Sequence, residues 1–147
     1  MDIVSLLTVL SLVMSAVLLG SMVFFSAVVA PLIFTRLEID VAGKLVRAIF
    51  PWYYLLIMVC AGASGLSLLA ALPLNAMLLL GVAASATYCR QFLMPQINAF
   101  RDRDLEGDKQ ARQVFSRLHR RSEIINVMQV LAVLAVFLHL AFFIDVS

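Results

Sequence analysis

The 147-residue chain is 63% hydrophobic and only 14% charged, with a mean hydropathy of +1.03. Soluble domains carry about 25% charged and 45–50% apolar residues, so a water-soluble core of this size is excluded and lipid is the solvent that accepts the excess. The formal net charge of +2 marks no nucleic-acid partner, because the basic residues are accounted for as determinants of membrane topology.

No charge lies between Asp2 and Arg36, between Arg47 and Arg90, or between Glu123 and Asp145, which leaves uncharged runs of 33, 42 and 21 residues. A helix needs about 20 apolar residues to cross a hydrocarbon core of about 30 Å. The middle run holds two crossings, divided at Pro73-Leu74-Asn75, where a tight turn is expected. The pattern predicts an all-α, polytopic four-helix transmembrane bundle in one domain, with helices near 5–30, 51–72, 75–96 and 124–143. Cytoplasmic loops are expected near 35–50 and 98–123.

Along the chain, the first segment lacks the basic leader and short apolar stretch of a cleavable signal and reads as a permanent helix. Pro31 is expected to kink that helix or end it at Ala30. In the first loop Asp40 can cap a helical turn, with Lys44 and Arg47 directed to water or lipid phosphate. Pro51 suits the first position of helix two. Alternating charges around Gly107 read as a solvated turn, and Ala111, Val114, Phe115 and Leu118 at helical spacing start helix four near Lys109. Small residues at 20–21, 61–65 and 81–86 lie level with one another, which predicts a close contact between helices two and three.

All 11 Lys and Arg residues fall at 36–47, at 90 or at 101–121, which four crossings place on one side. The positive-inside rule makes that side cytoplasmic and puts both termini outside, in a bacterial inner membrane. The basic rim should favour anionic lipid head groups. A homo-oligomer or a membrane-protein partner is a further expectation.

The candidate chemistry lies on helix four. His119, Ser122, Asn126 and Gln129 are spaced 3, 4 and 3, one stripe running from the cytoplasmic mouth into the inner leaflet. Amides there are costly unless they face other helices or a wet cavity, so the stripe either makes interhelical hydrogen bonds or lines a cytoplasm-facing pocket. Trp52, Tyr53 and Tyr54 open helix two at that depth, as an interfacial belt or a stacking surface for a planar ligand. Gln91, on helix three, is expected to point inward. Cys60 and Cys89 sit at similar depths on adjacent helices, with Met58 and Met94 near in sequence, a sparse soft set for Cu(I). No cofactor is predicted, although haem and copper are not excluded. His119 and His139 are twenty helical residues apart, about 30 Å, too far to ligate one iron within one chain. With no intramembrane carboxylate or lysine, an ion-coupled pump is disfavoured.

Phe24-Phe25, Ala30-Pro31 and Phe34, then Phe50-Pro51-Trp52-Tyr53-Tyr54 and Pro95-Gln96-Ile97-Asn98, lead to Phe115, Leu118-His119-Arg120-Arg121-Ser122 and Asn126. In this order they resemble the four-helix bacterial membrane family related to animal transmembrane protein 205. The resemblance implies a multi-pass protein whose characteristic positions, Pro31, Pro51, Tyr54, Pro95, His119 and Asn126, gather at the cytoplasmic helix ends. The animal relative's association with platinum-drug resistance implies soft-metal or small-molecule handling, for which this chain lacks a dense thiol or thioether array. The leading expectation is a binding module with a cytoplasm-facing site for a small molecule, a lipid or a partner. The alternative is a haem- or copper-linked oxidoreductase or a metal-handling protein.

Overall fold

The computed structural model describes residues 3–146, with side chains from Ile3 to Phe142, as four long helices joined by short turns. Met1, Asp2 and Ser147, the chain ends assigned above to the outer side, lie outside the described residues. We number the helices α1 (Ile3–Arg36), α2 (Ile39–Leu68), α3 (Pro73–Leu105) and α4 (Lys109–Val146). All four are long and apolar enough to cross a membrane. At 1.5 Å per residue they are about 45–57 Å long, against a hydrocarbon core of about 30 Å, so they project beyond it.

The helices alternate in direction, and α2 and α4 each pack against both α1 and α3. Leu18, Met22, Ile57, Ala61, Leu79, Val133 and Val136 fill the centre. Val13, Val59 and Leu131 are exposed on the outside, while Ser11, Ser15, Ser64, Asn75 and Gln129 are buried within. Apolar side chains outside and polar ones inside suit a bundle whose surroundings are hydrocarbon.

The helices exceed the stretches that hydropathy outlines, mainly at the basic end. Residues 35–50, expected as a loop, are largely the first turns of α2, which begins at Ile39 rather than Pro51. Ile39, Gly43, Val46 and Phe50, spaced 4, 3 and 4, give that extension one continuous face. Pro51 is thus inside the helix, and Asp40 lies in the first turn, with Glu38 at the N-cap position. An acid there offsets the positive end of the helix dipole. Residues 98–123 are likewise mostly helical, since α3 runs to Leu105 and α4 starts at Lys109. Between them Gly107 takes φ +96°, and its N–H and that of Asp108 reach the carbonyls of Asp104 and Arg103 at 3.0 and 3.1 Å. This left-handed close satisfies the last carbonyls of α3. Asp108 Oδ1 then accepts the N–H groups of Gln110 and Ala111 at 2.9 and 3.0 Å, capping α4. At the other end α2 stops at Leu68 and Pro73 opens α3, where a missing N–H removes no bond.

Two π-helical turns, Phe25–Val29 in α1 and Cys89–Leu93 in α3, each precede a proline, Pro31 and Pro95. A proline cannot donate to the carbonyl four residues back, and its ring crowds that carbonyl. Here the preceding turn widens: the Ala30 N–H reaches back to the Phe25 carbonyl, and the Met94 N–H to that of Cys89. The helix passes each proline without stopping. Pro31 therefore does not end helix one at Ala30.

The α2–α3 contact is closest at Gly65. A Cβ placed there would lie 2.9 Å from Leu80 Cγ and 3.2 Å from the Ala76 carbonyl oxygen. Gly62 is next, with 3.9 Å to Ala83 Cβ, whereas Gly20 and Gly81 have open space.

Candidate functional site

The helix-four stripe faces the bundle, and its four residues meet three different surroundings. Deepest is Gln129, whose Nε2 donates to Ser85 Oγ at 2.9 Å while its buried Oε1 has no partner. One turn nearer the basic end, Tyr53 donates its hydroxyl proton to Asn126 Oδ1 at 2.6 Å, and Asn126 Nδ2 donates to Ser26 Oγ at 3.1 Å. These bonds join α1, α2 and α4 across the bundle. Ser26 lies in the π-turn of α1, a residue that the sequence pattern did not single out.

Tyr53 and Tyr54 are both buried, so neither belongs to an interfacial belt. Tyr53 stacks on Phe25 with centroids 4.6 Å apart, and Tyr54 is buried in the same core as Cys89 of the α3 π-turn. The aromatic residue that does face outward is Trp52, 73% exposed. Gln91 is exposed rather than directed inward. Cys89, Leu93 and Met94 hold the buried face of this turn, and a residue two positions from Cys89 points away from it.

His119 and Ser122 line a cavity of about 490 Å³ at the basic end, a volume within the range of small-molecule sites. Its walls are apolar: Phe34 from α1, Val46 and Phe50 from α2, Met94 and Ile97 from α3, and Phe115 from α4. The His119 ring lies over that of Phe115 at 5.8 Å, with Nε2 3.3 Å from Glu123 Oε1. The Ser122 hydroxyl donates to the His119 carbonyl at 2.7 Å.

The charged residues that line it are Asp40, Lys44, Arg47, Arg101 and Asp102. Arg47 grips Asp102 with its two terminal nitrogens, Nη1 at 3.2 Å from Oδ2 and Nη2 on Oδ1, and Nη2 reaches the Asn98 carbonyl at 3.4 Å. Arg101 donates to Asp104 at 2.9 Å and lies 5.3 Å from the centre of the Phe115 ring. Asp104 also takes Arg112 Nε at 2.8 Å, and its side chain is only 5% exposed. Arg47 is thus paired with its own carboxylate, whereas Arg101 and Arg112 share that of Asp104. Among the described residues, Asp40 and Lys44 form no ion pair. Outside the cavity, the Ala111 N–H, with Arg103 and the Gln110 N–H, holds the Asp108 carboxyl below the usual carboxylate range.

Cys60 is half-buried and Cys89 buried, both as free thiols. Among the described residues no three His, Cys, Asp or Glu side chains converge as a metal site would require. His139 Nδ1 pairs with the Asn75 amide at 2.8–3.0 Å, at the far end of the bundle from His119. The sequence signal for the cavity was the 4, 3, 4 spacing of Ile39, Gly43, Val46 and Phe50, obscured by the charges between them.

A bundle of four membrane-capable helices, apolar outside and polar within, defines a multi-pass membrane protein. Residues 13–106 match the family described as a domain of unknown function (DUF4149), well over half of the chain, and the chain belongs to that family. The match covers Gly43, Lys44, Tyr53 and Cys89 but ends before α4, which carries His119, Ser122, Asn126 and Gln129. No curated protein and no solved structure matches the chain. Nothing in these comparisons relates it to transmembrane protein 205.

Proposed function

We propose that the chain is a non-enzymatic binding module of the bacterial inner membrane, whose cavity takes a small amphiphilic molecule at the cytoplasmic face. The observation that carries this reading is the cavity itself: apolar side chains supplied by all four helices, with five charged residues also lining it. A molecule with an apolar body and a charged head satisfies both parts, whereas a fully polar solute would strand the walls. The cytoplasmic placement is supported by the confinement of all basic residues to that end of the bundle. Kinship with transmembrane protein 205 is a separate proposal resting on the helix-end motifs alone.

Gly43 provides the test. It lines the cavity, and a Cβ there meets nothing within 4 Å, so a side chain can leave the helix at this position and take up cavity space. Native mass spectrometry of detergent-purified protein should show a retained small amphiphile on the wild type and none on Gly43→Phe, with both folded by circular dichroism. Equal retention by the two proteins would refute the cavity as the site.

A further inference from the structure

We infer that the ligand of the cavity is a single-chain amphiphile with an anionic head, a carboxylate or phosphate, held between Lys44 of α2 and Arg101 of α3. This rests on the cavity reading above and names the class of its ligand. The sign of the charge around the cavity carries it.

Three cations and two anions line the space: Lys44, Arg47 and Arg101 against Asp40 and Asp102. Arg47 and Asp102 hold each other. Arg101 turns instead to Asp104, which does not line the cavity and also serves Arg112. One carboxylate between two guanidiniums leaves a positive charge over, so the surplus persists when these outer partners are included. The whole basic end has the same sign. All 11 Lys and Arg residues fall within 36–121, whereas two of the nine acids, Asp2 and Asp145, stand apart at the chain ends. At each of these scales a ligand meets positive potential, which favours an anion.

Donors are available for it. Arg101 gives Nη1 to Asp104 at 2.9 Å, and among the described residues its Nε and Nη2 donate to nothing. Those two N–H groups point the same way, the fork that a carboxylate or phosphate takes with parallel hydrogen bonds. Asp40 does not oppose a head placed there. Arg101 adjoins Asp102, the partner of Arg47, so it stands level with Arg47, one turn further in than Lys44. Asp40 lies a turn further out again, about 10 Å from Arg47 along the helix.

The chain points inward. On α2 the last charged lining residue is Arg47, with Phe50 beyond it; on α3, which runs the other way, Met94 and Ile97 precede Arg101. The inner end is therefore apolar, and the ring of Phe50 meets those of Tyr53 and Tyr54 behind it. Positions 39–50 of α2 span about 17 Å, the length of one extended chain segment. The flanking α1–α2 groove shares no lining residue with the cavity, so it gives a second chain of the same molecule no place.

Full-length protein in phosphatidylcholine nanodiscs is photolysed with palmitate carrying a mid-chain diazirine, at mildly alkaline pH so that the carboxyl is ionised. Peptide mass spectrometry then locates the label. It should fall on Phe50, Met94 or Ile97 and disappear from Gly43→Phe. Unlabelled palmitate or hexadecyl phosphate should displace it at about one tenth of the concentration hexadecanol requires, the ratio one charge-assisted hydrogen bond supplies. Hexadecylamine should be weaker still, and two-chain phosphatidylglycerol should compete poorly. Lys44→Gln, which breaks no ion pair, and Arg101→Gln should each lower the tenfold ratio to about three. The double substitution should abolish the ratio while the label remains.

Displacement by hexadecanol or hexadecylamine as effective as that by palmitate would overturn the inference. So would a ratio that survives the double substitution, which sets the head elsewhere, and so would phosphatidylglycerol competing as well as palmitate. The cavity reading fails separately. Label that Gly43→Phe removes but that ignores head charge leaves the cavity standing without its anion. Label unaffected by Gly43→Phe, or confined to Phe24, Val29 and Trp52 of the groove, removes both.

Discussion

Replacing Gly65 with Ala tests how closely α2 approaches α3. The added Cβ would sit 2.9 Å from Leu80 Cγ, 3.1 Å from Leu80 Cδ2 and 3.2 Å from the Ala76 carbonyl oxygen. Carbon atoms pack best at about 3.5–4.0 Å, so the helices or Leu80 must give by roughly 0.6–1 Å. Overpacking of this kind costs about 1–3 kcal/mol. Removing a glycine from a helix returns about 0.5–1 kcal/mol, so the net effect runs from roughly neutral to a loss of about 2.5 kcal/mol. Gly20→Ala and Gly43→Ala supply the controls, because neither added Cβ meets anything within 4 Å. Each should stabilise by the backbone term alone. The assay is reversible unfolding in mixed micelles with increasing denaturing detergent, read by circular dichroism. Leu80→Ala in the Gly65→Ala background should recover part of the loss, a non-additivity that identifies the contact. If Gly65→Ala proves as stabilising as Gly20→Ala, the close approach does not exist and the account of α2–α3 packing is wrong.

Four other predictions follow from hydrogen bonding and charge. Tyr53→Phe removes the donor to Asn126 and should cost about 0.6–1.7 kcal/mol, the span measured for interhelical hydrogen bonds in membranes; an unchanged unfolding midpoint would show that the bond contributes nothing. Asp108→Ala uncaps α4, so limited trypsin digestion should cleave faster after Lys109 and Arg112 than in the wild type, whereas unchanged cleavage would remove Asp108 as a cap. Because the Asp108 carboxyl is depressed from 3.8, its stabilisation is complete above the ordinary carboxylate pKa and is lost as pH falls through the depressed value; a carboxyl NMR titration midpoint at or above 3.8 would contradict this. Finally, reporter domains inserted in the turn at 106–108 and fused after residue 147 should report the cytoplasmic and the outer side respectively, and the reverse would invert the proposed orientation.

Much of the fold was legible because charge is so unevenly spread. Arg36, Arg47, Arg90 and Glu123 bound uncharged runs that hydrocarbon alone explains. The inward direction of the Ser122, Asn126 and Gln129 stripe was also legible, since residues at 3 and 4 spacing share one helix face whatever that face meets. Their partners were not. Ser26 and Ser85 are ordinary helix residues in sequence, and only the packing of α1 and α3 against α4 brings them to Asn126 and Gln129. The surroundings of Tyr53 and Tyr54 were misjudged for a local reason. Reading Pro51 as the start of helix two places both at a helix mouth, whereas a start at Ile39 sets them four turns inside. The same boundary concealed the cavity, most of whose α2 wall lies in residues first read as loop.

The two π-turns give the helix-end motifs a common physical basis. Each lies just ahead of a proline, and each brings a residue into the core around two adjacent tyrosines. Ser26 of the α1 turn meets the Tyr53–Asn126 pair, and Cys89 of the α3 turn is buried in the same core as Tyr54. Widened turns of this kind are frequent at functional sites because they re-aim one residue without ending the helix. Here the two tyrosines border the cavity through Phe50, whose ring lies 5.9 and 5.7 Å from those of Tyr53 and Tyr54. Tyrosine hydroxyls in hydrocarbon are costly when unpartnered, and the π-turn before Pro31 is what sets Ser26 within reach of the Asn126 amide that takes the Tyr53 proton. The proline and this hydrogen-bond chain are therefore parts of one arrangement, and a substitution such as Pro31→Ala, which permits an ordinary α-turn in α1, bears on folding through it.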